Sequence, residues 1–217
     1  MTNSLNSTAC RMLLVGMAAA CSLGASTFYF QGTFTTDDQL HQLNFNVPVT
    51  GVVTIQTYSY AGGINSLNQI VEPGGFDPVL TLFDGLGEFL TANNDGACGT
   101  VGKDFLTHNC FDSFLSLTLP AGDYTLVLSE SDNFAIGPTL AGGFSQSGNG
   151  NFSCPEFMGT PGGFCDASPS QRANAWAFDI TTPGAVETPE PASGLMILTA
   201  TIAFATVRKF SNLRRKS

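Results

Sequence analysis

Apolar residues in this chain recur at every second position, in runs of four to eight residues rather than in long helical stretches. Phe28, Phe30 and Phe34 alternate with polar or small neighbours, as do Leu43, Phe45 and Val47. Val53 and Ile55 fall on one side of the next run, and Leu115, Leu117 and Leu119 alternate with Phe114, Ser116 and Thr118. Tyr124 to Ser129 forms another run, and Trp176, Phe178 and Ile180 close the series. A period of two is the signature of half-buried β-strands, because successive strand side chains point to opposite faces. Val79-Leu80-Thr81-Leu82-Phe83 is denser and reads as a strand buried on both sides. Gly, Pro, Asn and Asp clusters separate the runs and supply turn conformations. No sustained 3.6-residue spacing occurs between positions 27 and 180. Seven to nine short strands with this punctuation predict an all-β, jelly-roll-like β-sandwich.

Composition narrows the function classes. Of 217 residues only 12% are charged, while Gly reaches 24 and Phe 18, so the chain is neither charge-rich nor aromatic-poor, as disordered chains are. The net charge is -9, but five of the eight basic residues (Arg208, Lys209, Arg214, Arg215 and Lys216) lie in the last ten positions. Between Thr27 and Glu187 there are 16 acidic residues against Lys103 and Arg172, a net of -14. Nucleic-acid binding needs a cationic face to displace phosphate counterions, and this body has none. Such an acidic body suits solubility outside a cell, divalent cations or a cationic partner.

Both ends read as addresses. Arg11 precedes an apolar run from Met12 to Leu23, followed by the small residues Gly24, Ala25 and Ser26. That order predicts a secretory signal peptide over residues 1–26, cleaved near Ala25 or Ser26. At the other end Thr188-Pro189-Glu190-Pro191-Ala192-Ser193-Gly194 leads into an uncharged run ending at Val207 and then a basic tail. Residues 192–207 would span ~24 Å as a helix at about 1.5 Å per residue, close to a single transmembrane helix if Phe210 joins and the basic side chains snorkel. The basic tail places that end in the cytoplasm and the body on the far side.

Pro-Glu-Pro at Pro189, Glu190 and Pro191, followed by a short apolar segment and an Arg/Lys-rich end, resembles the PEP-CTERM sorting signal of Gram-negative bacteria. The resemblance implies a transient inner-membrane anchor, with exosortase as the processing partner. The released protein is then delivered to the cell surface or extracellular matrix. A second resemblance covers the body. The run Phe76 to Gly96 (Phe-Asp-Pro-Val-Leu-Thr-Leu-Phe-Asp-Gly-Leu-Gly-Glu-Phe-Leu-Thr-Ala-Asn-Asn-Asp-Gly) resembles the central hairpin of bacterial pre-peptidase C-terminal domains. Leu117-Thr118-Leu119-Pro120-Ala121-Gly122-Asp123-Tyr124 is similar to the strand pair that follows it there. Segments around Phe30, Tyr58 and Trp176 resemble PEP-CTERM proteins built on this domain. These likenesses imply a fold and an address, and no reaction.

The expected organisation is therefore a signal peptide over 1–26, a β-sandwich over 27–182, a linker over 183–188 and the sorting signal over 189–217. Cys10 and Cys21 leave with the signal peptide, so the mature body keeps Cys98, Cys110, Cys154 and Cys165. In an exported chain these read as disulfides, and three pairings are open. Cys98–Cys110 would close a loop after the hairpin, and Cys154–Cys165 would staple the glycine-rich connection over 133–163. Loops of that size stabilise by ~3 kcal/mol in the chain-entropy model. The sharper alternative, zinc on Cys98, His108 and Cys110, lacks a CxxC spacing.

Asp77, Asp84, Asn93 and Asp95 gather around one hairpin in the sequence, and such oxygen ligands could hold Ca²⁺. The bland reading is turn chemistry, and the EF-hand spacing fails. No other cofactor is expected. Catalytic patterns are absent: Gly143-Phe144-Ser145-Gln146-Ser147 ends in Ser where the nucleophile elbow needs Gly, and two histidines position no triad. The expected function is a non-enzymatic surface or matrix protein associated with exopolysaccharide or biofilm. The alternatives are a calcium-dependent adhesion module and a carbohydrate-binding or carbohydrate-hydrolysing module.

Overall fold

A computed structural model describes residues 24–159 and 163–184, which fall within the compact unit Leu23–Val186. The expected signal-peptide core, sorting motif and transmembrane segment lie outside the described residues. Eight long strands carry the architecture: β1 (Ala25–Thr33), β2 (His41–Val47), β3 (Gly51–Thr57), β6 (Pro78–Asp84), β7 (Phe89–Asn93), β8 (Phe114–Leu119), β9 (Gly122–Glu130) and β12 (Ala175–Pro183). Two-residue strands pair as ribbons, β4 (Gly63–Ile64) with β5 (Ile70–Val71), and β10 (Phe164–Cys165) with β11 (Gln171–Arg172). A single turn of 3-10 helix (Leu140–Gly142) and a five-residue helix α1 (Ser153–Phe157) complete the described elements. No described helix is long and apolar enough to cross a membrane.

The long strands form two antiparallel sheets, ordered β1-β12-β3-β8 and β2-β9-β6-β7. Counted along the chain, the eight strands take the orders 1-8-3-6 and 2-7-4-5, the double Greek key of a jelly roll. Every alternating run named from the sequence lies in or next to one of these strands. Ala25 and Ser26, assigned above to the leader, lie in β1 opposite Pro183 and Thr182.

The core forms where the inner faces meet. Val53, Ile55, Leu115, Leu119, Phe178 and Ile180 come from the first sheet, and Val47, Leu80, Leu82, Tyr124, Leu126 and Leu128 from the second. Each fully buried Leu, Ile or Phe contributes roughly 1.5–3 kcal/mol by leaving water. Aromatic rings add geometry: Phe30 stacks on Phe178 at 5.2 Å, and Phe34 on Phe76 at 5.1 Å. Gly32 sits opposite Trp176 in the β1–β12 register, where a Cβ would come within 2.5 Å of the indole. Glycine there is the space that the Trp ring fills.

The density of β6 has a direct cause. Its inner residues Leu80 and Leu82 enter the main core, while Phe83 and the neighbouring Val127 of β9 pack outward against Phe144, Leu140, Ala135 and Leu40. The glycine-rich connection therefore covers the outer face of the second sheet. β8 and β9 depart from the strand pair expected at Leu-Pro-Ala-Gly. β8 pairs with β3 in one sheet, and β9 pairs with β2 and β6 in the other, so this turn carries the chain between sheets.

Candidate functional site

Strand directions sort the connections by end. Residues 48–50, 85–88 and 120–121 make tight turns at one end, whereas residues 34–40, 58–77, 94–113 and 131–174 form long loops at the other. A rigid scaffold presenting long loops at one end is the usual location of a binding surface. Two disulfides, Cys98–Cys110 and Cys154–Cys165, each close a loop at that end, with Cα separations of 5.4 and 4.8 Å. This resolves the three pairings, and it removes the zinc alternative, because neither Cys98 nor Cys110 has a free thiolate.

Buried carboxylates organise the same loops. Asp112 accepts hydrogen bonds from Thr57 Oγ1 (2.8 Å), Tyr60 N (3.1 Å) and Ala61 N (2.8 Å). Asp37 takes Asn151 N, Ser153 N and Ser153 Oγ at 2.5 to 2.7 Å, which ties the first loop to the start of α1. Arg172, the one arginine of the body, is buried. It donates to Gly75 O (2.9 Å) and Tyr60 O (2.7 Å), lies 3.8 Å above the Tyr60 ring, and faces Asp104 at 3.4 Å and Asp166 at 3.8 Å. Burial alone would raise the Asp104 carboxyl, but Thr107 donors and the guanidinium prevail and hold it below its ordinary value. A single cation thus pins three loops together.

Asp77 and Glu130 are different. Along β9 the inward residues are Tyr124, Leu126 and Leu128, and the next in that row is Glu130, opposite Pro78 of β6. Glu130 is fully buried, and neither carboxyl oxygen receives a hydrogen bond from the protein. Asp77, one residue before β6, is also buried, and its Oδ1 has no donor. Its main-chain carbonyl accepts Ser131 N at 2.8 Å, holding the two segments side by side. Burial pushes both carboxyls well above the carboxylate range; the Asp77 charge adds to the rise of Glu130, and Asp95 leads the charges that raise Asp77. Asp37, Asp132 and Asp166 raise Glu130 further.

The four sequence candidates for calcium do not converge. Asp77 and Asp84 flank opposite ends of the seven-residue strand β6, a separation of roughly 23 Å at about 3.3 Å per residue. Asp84 caps the tight turn, accepting Leu86 N and Glu88 N at 2.9 Å each, next to Gly87 at φ 81°. Asn93 is consumed structurally, accepting Phe114 N at 2.8 Å and donating to Asp95 O at 3.1 Å. Asp77, Asn93 and Asp95 share the loop end, where the Asp95 charge raises Asp77, and Asp84 is left at the other. Among the described residues, no three His, Cys, Asp or Glu side chains converge as a metal centre. Glu130 was missed in the sequence, although its parity in the β9 row marks it. Pro189, Glu190 and Pro191 lie outside the described residues.

A groove of about 480 Å³ runs over the first sheet, lined by Gln31, Tyr58, Ser59, Glu72, Ala175 and Trp176 among others. The outward side chains of that sheet are mostly uncharged and polar: the register puts Tyr29 and Gln31 of β1 beside Asp179 and Ala177, with Thr54 and Gln56 of β3 beyond. Asp179 is tied down by Tyr58 Oη at 3.1 Å and Ser66 N at 2.6 Å. The Tyr58 hydroxyl is pushed up to about 12, first by burial and then by Asp179.

No family model matches the chain, and no curated protein matches it. Among solved structures, it is similar to the pre-peptidase C-terminal domain of a collagenase from Bacillus anthracis. That likeness has 9% identity and a TM-score of 0.33, covering 71% of this chain and 86% of the other.

Proposed function

We propose that this protein is an exported, non-enzymatic component of the cell surface or extracellular matrix that holds exopolysaccharide. In this reading an exosortase processes it at Pro189-Glu190-Pro191 after transient anchoring in the inner membrane. The observation that carries the reading is the pair of disulfides on the loop-bearing end, since such bonds persist in oxidising compartments. The strongly acidic body supports an extracellular setting. The groove over the first sheet supports a neutral glycan as ligand. It offers hydroxyl and amide groups at Gln31, Tyr58 and Ser59 beside the carboxylate of Glu72, and Tyr29 flanks an adjoining pocket that shares Gln31; hydroxyl-bearing and planar groups are what a sugar ring recognises.

The test has two arms. Fractionation of the native host should place the full chain at the surface, and a triple alanine variant at Pro189, Glu190 and Pro191 should accumulate in the inner membrane. Surface delivery unaffected by that variant defeats the sorting arm. Host exopolysaccharide should retain the wild-type protein without releasing sugar products, and Tyr29→Ala with Gln31→Ala should weaken retention at least tenfold. Product formation that is lost on mutation of a single carboxylate would favour a hydrolase.

A further inference from the structure

Binary patterning makes the position of Glu130 costly. The row Tyr124, Leu126, Leu128 is continued inward by a carboxylate at 0% exposure. A buried carboxylate is tolerated when it is paired or receives donors, and Asp104, Asp112, Asp37 and Asp166 all meet that condition. Glu130 receives no donor on either oxygen, and Asp77 beside it receives none on Oδ1. The buried guanidinium of Arg172 pairs with Asp104 and Asp166 instead. The charges that raise Glu130 beyond the effect of burial are those of Asp77, Asp37, Asp166 and Asp132.

We propose that Glu130 and Asp77 form a site for a hard divalent cation of the Ca²⁺ class, seated where the inner face of β9 meets the long loops. The donor set is oxygen alone, which selects against zinc and copper. Ca²⁺ takes six to eight oxygens, with carboxylates supplemented by main-chain carbonyls and water, so two carboxylates suffice as its charged ligands. Mg²⁺ demands a stricter octahedron and retains more water, which suits a fully buried pair less well. The ion neutralises two carboxylates that no protein donor serves. It also joins the 58–77 loop to the start of the 131–174 loop, which the disulfides leave unconnected. The site differs from the hairpin set read from the sequence, since Asp84 and Asn93 take no part. It stands independently of the exopolysaccharide reading.

Calorimetric titration of CaCl₂ into EDTA-stripped, dialysed full-length protein tests the site. One Ca²⁺ should bind per chain, and Tm should rise by about 5–10 °C at a hundredfold excess over Kd. Glu130→Gln and Asp77→Asn, both close in shape to the native residues, should each lose the Tm rise and weaken binding at least tenfold. Glu88→Gln, an exposed change at the opposite end, should retain both. Absence of heat and of a Tm rise in the wild type overturns the proposal, as does Ca²⁺ affinity unchanged in either variant. If Glu130→Gln does not fold, Asp77→Asn decides by the same criterion.

Discussion

The two ends of the sandwich close by different means. At the turn end, three connections of a few residues close mainly by local bonds. Asp84 accepts two main-chain N–H groups and Gly87 adopts a positive φ, while Leu140 N donates to Gly87 O at 2.8 Å from the segment that covers this sheet. At the loop end, two of the four connections are stapled internally by disulfides, and groups far apart in sequence tie them together: the Asp37 and Asp112 carboxylates, and Arg172 with Asp104. Local turns are inexpensive but leave little surface to shape. Long loops lose more conformational entropy on ordering, and here buried polar groups and covalent links offset that loss. The loop end is thus a built surface rather than slack between strands.

Substitutions can break that contrast, beginning with the largest effect. Arg172→Met strips Asp104 and Asp166 of their buried cation and should destabilise the fold by about 3–5 kcal/mol in denaturant unfolding. A loss below 1 kcal/mol would show that the loop end does not depend on it. Replacing Cys154 and Cys165 together by Ser should cost ~3 kcal/mol on the loop-entropy model. Hydrogen exchange should then accelerate over 131–174 and leave the turn end protected. Asp84→Ala removes one local cap and should cost about 1 kcal/mol, with exchange rising around residues 85–88 and the 138–140 segment bonded to them. If its effects spread to the loop end, the two ends are coupled.

The smallest effect concerns pH. His41, at the loop end of β2, lies 4.4 Å from the Trp176 ring, and burial pushes its imidazole below the ordinary value of 6.5. The fold therefore favours neutral His41, while the unfolded chain takes up a proton first as pH falls. Stability from this group is present above pH 6.5 and declines as pH drops below it. His41→Phe should flatten the change in Tm between pH 7.5 and 5.5 relative to wild type. An identical pH profile would show that His41 contributes nothing to it.

Most of the strand framework was legible because alternation is a local property. Leu43, Phe45 and Val47 announce an inward face whatever the rest of the chain does, and the continuous run of β6 announced a covered outer face before its cover was visible. The partner of each strand was not legible in the same way. Pro120 to Asp123 has hairpin chemistry, yet it joins strands of different sheets, because pairing is settled by all eight strands at once. The candidate site shows the same limit. Asp77 and Asp84 are neighbours in the sequence of a hairpin, but an extended strand holds them at its two ends. Glu130, 53 positions from Asp77, comes beside it because β9 and β6 are antiparallel neighbours. Its parity was readable; its companion was not. The role of Arg172 was likewise invisible, although a lone arginine in so acidic a body marks it as a candidate for burial.

The placement of β12 bears on how the molecule comes into being. This final strand is not an edge: it inserts between β1 and β3, matching nine residues of the first and four of the second. Until positions 175–183 have been made and delivered, β1 has no neighbour in its sheet and Phe178 is missing from the centre of the core. A chain emerging N-terminus first would thus stay open until positions 175–183 arrive to complete the weave.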